Sequence, residues 1–126
     1  MYDYGEDGRT PIPSDKVKEI RDRVAAELGI KQRQVSEEEI VERCILPIVN
    51  EFAKILDEGI INHPTDADVL WIYGYGFPAA KGGPIYQANV DGFEKVHASL
   101  VAYQEKDAEF GDVYWSPSPA LKNLFI

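Results

Sequence analysis

The stretch Ser36-Glu37-Glu38-Glu39-Ile40-Val41-Glu42-Arg43-Cys44-Ile45-Leu46-Pro47-Ile48-Val49-Asn50-Glu51-Phe52-Ala53-Lys54-Ile55-Leu56-Asp57-Glu58-Gly59 decides the fold class. Ser36 followed three residues later by Glu39 is a capping box, in which hydroxyl and carboxylate satisfy amides that a helix start leaves without partners. Ile40, Val41, Cys44, Ile45, Ile48, Val49, Phe52, Ile55 and Leu56 then recur at helical spacing and cover more than a narrow stripe. The pattern predicts a long helix buried on a wide face. Pro47 lacks the amide that would reach the carbonyl of Arg43, so one helix with a bend is expected. Glu39 and Arg43 stand four apart in the favourable order and form an expected exposed pair. Cys44, beside Ile45 and Leu46, reads as a buried, inert thiol. Glu37, Glu38, Glu39, Glu42 and Glu51 read as a solvated acidic face rather than an acid/base pair.

Outward from this helix the signals stay helical. Ser14, after Pro11 and Pro13, opens a surface helix whose Val17, Ile20, Val24, Ala25 and Leu28 predict one buried stripe, closed by Gly29. Thr65 is the expected cap of a short third helix, with Asp68 favouring the positive end of its dipole and Gly74 ending it. Gly82-Gly83 leads to Pro84, suited to the first position of a brief helix running to about Asn89. Asp91 with Glu94 repeats the capping pattern ahead of Phe93, Val96, Leu100 and Tyr103 on one face. Val113 to Pro119 is expected to be extended, and Ala120 to Phe125 to form a last short helix capped by Ser118. The sum is an all-α domain of five or six helices over residues 14–126, preceded by a linker over 1–13. It leaves no place for the parallel sheet of a Rossmann or P-loop core.

Composition excludes further classes. Thirteen basic against 22 acidic residues in 126 give a net charge of −9, which repels phosphate backbones and argues against nucleic acid and anionic membrane surfaces. The 44% of hydrophobic residues suffice for a core. Cys44 is the sole cysteine, which excludes an internal disulfide framework and fits a reducing compartment. The apolar run from Cys44 to Val49 is too short to span a bilayer, and the first residues lack the apolar centre of a signal peptide. A soluble, intracellular protein is expected.

The glycines of Gly74-x-Gly76 and Gly82-Gly83 invite a phosphate-cradle reading, but no Gly-Lys-Ser/Thr follows and no strand precedes, so structural turns are expected. His97 reads as a surface or hydrogen-bonded imidazole, and His63 as a loop residue near the carboxy-terminal dipole of the preceding helix. Neither histidine has a cysteine nearby at zinc-ligand spacing. No catalytic residue, metal ligand or cofactor-binding residue is assigned within the chain.

One resemblance is more definite. Glu38-Glu39-Ile40-Val41-Glu42-Arg43-Cys44, Pro47, Asn50-Glu51, Leu56-Asp57-Glu58-Gly59-Ile60, Asp66-Ala67-Asp68, Tyr73-Gly74-Tyr75-Gly76-Phe77-Pro78 and Gly82-Gly83-Pro84 together resemble 3-hydroxyacyl-CoA dehydrogenases. More narrowly, they resemble the second carboxy-terminal helical repeat of the multifunctional fatty-acid oxidation enzymes, a helical domain like the carboxy-terminal one of 6-phosphogluconate dehydrogenase. Trp115-Ser116-Pro117-Ser118-Pro119 matches the closing pattern, and Tyr2-Asp3-Tyr4 the Tyr-x-Tyr that follows the first repeat. The resemblance implies an excised piece of a longer, NAD-dependent β-oxidation enzyme, with a cytoplasmic, bacterial parent favoured. The dinucleotide-binding domain and the catalytic His and Glu would lie upstream in that parent, often behind a hydratase/isomerase domain. Where the first repeat has an active-site asparagine before an arginine, this chain has Glu42 before Arg43. The resemblance places Tyr73, with Phe77 in the same motif, beside the acyl-CoA substrate; Tyr73 packed in the core is the alternative. The implied partners are the preceding repeat and the dinucleotide-binding domain, and a homodimer for the chain alone. Rival readings are a helical interaction or dimerisation module without enzymatic role and a small enzyme using the glycine loops.

Overall fold

A computed structural model describes residues 2–107 and 109–125, and the chain divides into two compact units, Met1–Val35 and Ser36–Ile126. In the first, β1 (Tyr2–Tyr4) pairs antiparallel with β2 (Pro11–Pro13), Tyr2 standing opposite Pro13. Asp7 shapes the turn between them: it accepts the Thr10 hydroxyl at 2.5 Å and the amides of Thr10 and Arg9 at 3.0 Å. Those bonds, the Thr10 hydroxyl foremost, favour the ionised carboxyl and pull its pKa down to about 2. The segment expected as a linker thus carries a hairpin. Three-residue strands containing prolines show no apolar alternation, which is why it escapes a reading by pattern.

Ser14 occupies the cap position of α1 (Asp15–Glu27), although its side chain makes no capping bond. The expected buried stripe is absent: only Ala25 is buried, while Ile20, Val24 and Leu28 are exposed. Both strands of this unit are exposed throughout and give the helix no apolar face to pack on.

The second unit is built on α2 (Glu37–Asp57). The Ser36 hydroxyl accepts the Glu39 amide at 3.2 Å, and the helix continues unbroken through Pro47. Its buried residues are Leu46, Val49, Asn50, Phe52 and Ala53. The wide buried face expected for the whole helix is therefore confined to its second half. Ile40, Val41 and Cys44 are exposed, which corrects the reading of Cys44 as buried. Cys44 precedes Leu46 by two positions, about 200° round the helix and so on its opposite side.

Helix α3 (Pro64–Tyr75) begins two residues earlier than a cap at Thr65 would place it. His63 is its cap: Nδ1 accepts the Thr65 amide at 3.3 Å, and Asp66 reaches back to accept the His63 amide at 2.9 Å. Pro64 sits at the first helical position, where its missing amide costs nothing. At the other end Gly76, rather than Gly74, closes the helix with φ near 72°. A 3₁₀ turn, Ala79–Lys81, leads to α4 (Pro84–Asp91).

Asp68 joins these two helices. It is buried, and its carboxylate accepts the Ile85 amide at 2.7 Å and the Tyr86 amide at 3.1 Å, capping α4 from α3. Burial raises its pKa, with the two amides acting in the opposite direction. Gly83 (φ 105°) lies against this carboxylate, and a Cβ there would collide with Asp68. Helix α5 (Phe93–Lys106) starts at Gly92 rather than from an Asp91–Glu94 box, since Asp91 ends α4 and pairs with Lys95 at 2.7 Å.

Val96, Leu100 and Tyr103 of α5 are buried as its pattern implies. The stretch beyond differs from the expected extended chain, because Gly111–Trp115 forms a π-helical turn. Gly111 presses on the Gln104 carbonyl too closely for any Cβ. A 3₁₀ turn, Leu121–Leu124, follows, with the Ser118 hydroxyl accepting the Ala120 amide at 3.2 Å. Asn50 fastens this tail to α2: its Nδ2 donates to the Ser116 carbonyl at 2.8 Å and its Oδ1 accepts the Ser118 amide at 2.7 Å. Val49, Phe52, Ile85, Leu100, Trp115, Leu121 and Leu124 then close one core. The architecture is all-α, with the small hairpin its only sheet among the described residues. No helix among them is long and apolar enough to cross a membrane.

Asp68→Ala is expected to destabilise the chain by about 1–3 kcal/mol, because two amides lose their acceptor. Gly83→Ala should also destabilise it, through the positive φ and the collision with Asp68. Urea unfolding of the double variant should show less than the sum of the two losses, since Asp68→Ala removes the carboxylate part of the collision while its Cβ stays close.

Candidate functional site

The turn that ends α3 aims Phe77 back at α2 and α5. Gly76 supplies the left-handed residue, and the Phe77 amide then donates to the Trp71 carbonyl at 3.0 Å. Half-buried, Phe77 forms one wall of a cleft of ≈ 240 Å³. Val41, Ile45 and Leu46 of α2 and Val96 of α5 form the other apolar walls, while Glu42, Lys81, Gln87, Asp91, Lys95 and Ser99 contribute polar groups.

Most of the charge there is already engaged. Asp91 holds Lys95, and the hydrogen bond between them keeps the Lys95 ammonium above its ordinary pKa. Glu42 accepts the Tyr103 hydroxyl at 2.7 Å. Tyr103 is buried, with the Arg43 guanidinium 4.6 Å from its ring centre and the Trp115 ring 4.8 Å away. Burial first, then the bond to Glu42, pushes the phenol up to about 12. Arg43 also donates to Glu39 at 2.9 Å, so the expected Glu39–Arg43 pair exists, half-buried over Tyr103 rather than exposed. Lys81 has no ion-pair partner among the described residues.

Tyr73 and Phe77 are not brought together. Tyr73 is 86% exposed on α3 and lines none of the clefts described, which removes the packed-core alternative for it. Tyr75 stacks on Trp71 at 4.9 Å between ring centres. Those two rings, with Ile48, Phe52, Ile55 and Leu70, border a second, shallower groove of ≈ 260 Å³ between α2 and α3. Sequence reading misses Val41, Ile45, Glu42, Lys81 and Lys95 as neighbours of Phe77. Only the packing of α2, α4 and α5 assembles them, and no local motif announces it. His97 is exposed beside Phe93, and His63 is spent as a helix cap.

The pyrophosphate of NAD does not fit the glycine-rich start of α4. The amides of Ile85 and Tyr86 that could face a phosphate already bond the Asp68 carboxylate, and a second anion there would be repelled. Gly82 and Gly83 serve packing instead: a Cβ on Gly82 would lie 2.6 Å from the Tyr86 ring. Among the described residues no group of three or more His, Cys, Asp or Glu could hold a metal ion.

This all-α segment, with its Asp66-Ala67-Asp68 and Tyr73 to Pro78 motifs, is homologous to part of the multifunctional fatty-acid oxidation enzymes. It is 35% identical to the peroxisomal bifunctional enzyme of Danio rerio, 34% to that of Homo sapiens and 37% to fatty acid oxidation complex subunit alpha of Shewanella sp. (strain ANA-3), each over 98% of the chain. The chain spans 17% of the length of these relatives. No family model matches it.

Tyr103→Phe is expected to cost about 1.5–3 kcal/mol near neutral pH, because the bond lost ends on a carboxylate. The phenol pKa rises from 10.0 unfolded to about 12 folded, so its contribution is complete below pH 10 and lost as pH rises towards 12. Chemical unfolding of both proteins across that range should show their stabilities converging.

Proposed function

We propose that the chain is the non-catalytic, carboxy-terminal helical domain of an NAD-dependent 3-hydroxyacyl-CoA dehydrogenase acting in fatty-acid β-oxidation. The observation that carries this reading is the similarity along nearly the whole chain to enzymes named for fatty acid oxidation and for two activities. Its partners in the longer chain are the preceding helical repeat and the dinucleotide-binding domain, the latter holding NAD. Within this segment Phe77 and Tyr73 contribute to the acyl-CoA site, Phe77 from its cleft and Tyr73 from the open face of α3. The bacterial relatives support a cytoplasmic setting.

Expressed within the full-length enzyme, Phe77→Ala should raise KM about tenfold with kcat little changed, the signature of lost uniform binding. Tyr73→Ala should raise KM while leaving stability within about 0.5 kcal/mol, as expected for an exposed position. Unchanged KM in both variants, in an enzyme that turns over, would remove the acyl-site role.

The chain alone is proposed to form a homodimer. Ile40 and Val41 on α2 and Val69, Leu70, Tyr73 and Tyr75 on α3 expose apolar area that a like copy can cover. Light scattering should give a mass that rises towards twice that of the chain with concentration. Calorimetric titration of the same sample with NADH should release no binding heat.

A further inference from the structure

We propose that two copies of the chain exchange helix α1, each laying it in the groove between α2 and α3 of the other. The inference rests on the homodimer reading above and deepens it by naming the two surfaces that meet. Three observations carry it. First, α1 lacks a core of its own. It has 13 residues and buries only Ala25, and both strands of the hairpin before it are exposed. A helix of that length and a two-stranded hairpin are each marginal in water without a surface to pack on. Second, the side chains of α1 describe the surface it fits. At about 100° per residue, Val17, Ile20, Val24 and Leu28 form one stripe, Lys16 and Arg23 flank one edge, Lys18 and Arg21 flank the other, and Asp15, Glu19 and Asp22 face away. Glu27 alone breaks this order. Such a helix fits an apolar groove with an acidic rim. Third, the groove of ≈ 260 Å³ beside Trp71 has that character. Ile48, Ile55, Leu70 and Tyr75 line it, Glu51 stands on its α2 rim, and Glu58 continues that rim two turns later.

The charges match in spacing as well as in sign. Glu51 and Glu58 lie two turns apart, about 10.5 Å along the helix, and so do Lys16 and Arg23. Lys16 and Glu58 have no ion-pair partner among the described residues. Arg23 and Glu51 are engaged only in exposed pairs, with Glu27 at 3.8 Å and Lys54 at 3.0 Å, which are weak enough to be exchanged. The wider balance agrees. The net charge of −9 resides in residues 36–126, with six basic and fifteen acidic residues, whereas residues 14–35 carry six basic and four acidic ones. An acidic face repels a like face, so the segment that a second copy presents to the groove is its α1. Reciprocal docking uses the contact twice and closes a two-fold dimer.

The test is light scattering of the 126-residue chain and of variants at exposed positions. Lys16→Glu with Arg23→Glu, and separately Glu51→Lys with Glu58→Lys, should each raise the dimer dissociation constant about tenfold. An equimolar mixture of these two variants should recover the dimer, because each helix then meets a groove of opposite sign. Ile20→Asp with Val24→Asp should be monomeric, with the amide NMR spectrum of residues 36–126 retaining its dispersion. A wild-type chain that stays monomeric at high concentration overturns both the homodimer reading and this one. A dimer indifferent to all these substitutions leaves the homodimer reading standing and overturns this one. Weakening in both charge variants without recovery on mixing also overturns it, since a contact between two copies of α1 and two grooves has to be restored by the complementary pair.

Discussion

A buried carboxylate sets the geometry on which the second unit depends. Asp68 leaves water at an energetic cost, visible in its raised pKa, and recovers part of it from the Ile85 and Tyr86 amides at the positive end of the α4 dipole. That contact fixes where α4 begins relative to α3. It also dictates glycine at position 83, since no side chain fits between the carboxylate and the turn. With both ends of the loop from Gly76 to Gly83 so fastened, Phe77 and Lys81 are carried to one edge of α2. The cleft is a consequence of that connection rather than of any residue lining it.

Asn50 plays the corresponding part for the tail. A side-chain amide donates and accepts at once, so it replaces one rung of backbone pairing and holds Ser116 and Ser118 against α2. The prolines at 117 and 119 restrict the backbone on either side, and Leu121 and Leu124 are thereby delivered to the core. Two polar residues, both buried, thus determine how the apolar surfaces meet. Hydrophobic burial supplies most of the stabilisation, but it is non-directional and does not by itself choose this arrangement.

What the sequence made legible was local. The Ser36 cap, the helix through Pro47, the pairing of Glu39 with Arg43, Pro84 at a helix start and the buried face of α5 each follow from residues within a turn or two of one another. What it hid was long-range or competitive. Thr65 is a better intrinsic cap than His63, yet Pro64 marks the first helical position, and with Asp66 it was the readable sign of the true cap. Asp68 looked like a dipole partner for its own helix because nothing local reveals an acceptor for amides seventeen residues away. Asn50 did carry a signal, a polar residue between Val49 and Phe52 on an apolar face. The cleft had none, being formed by helices distant in sequence.

The length of α2 explains how one helix can serve both core and site. Its second half, from Leu46 to Ala53, is enclosed by α4 and the tail, so substitutions there act first on stability. Its first half keeps Val41 and Cys44 exposed and reaches the cleft through Val41, Glu42 and Ile45. The boundary falls at Leu46, which belongs to the core and also lines the cleft. Val96 has the same double membership on α5. The floor of the cleft is therefore shared with the core, whereas Val41 and Lys81 at its mouth are exposed. A site built in this way can alter what it admits while the fold that supports it stays the same.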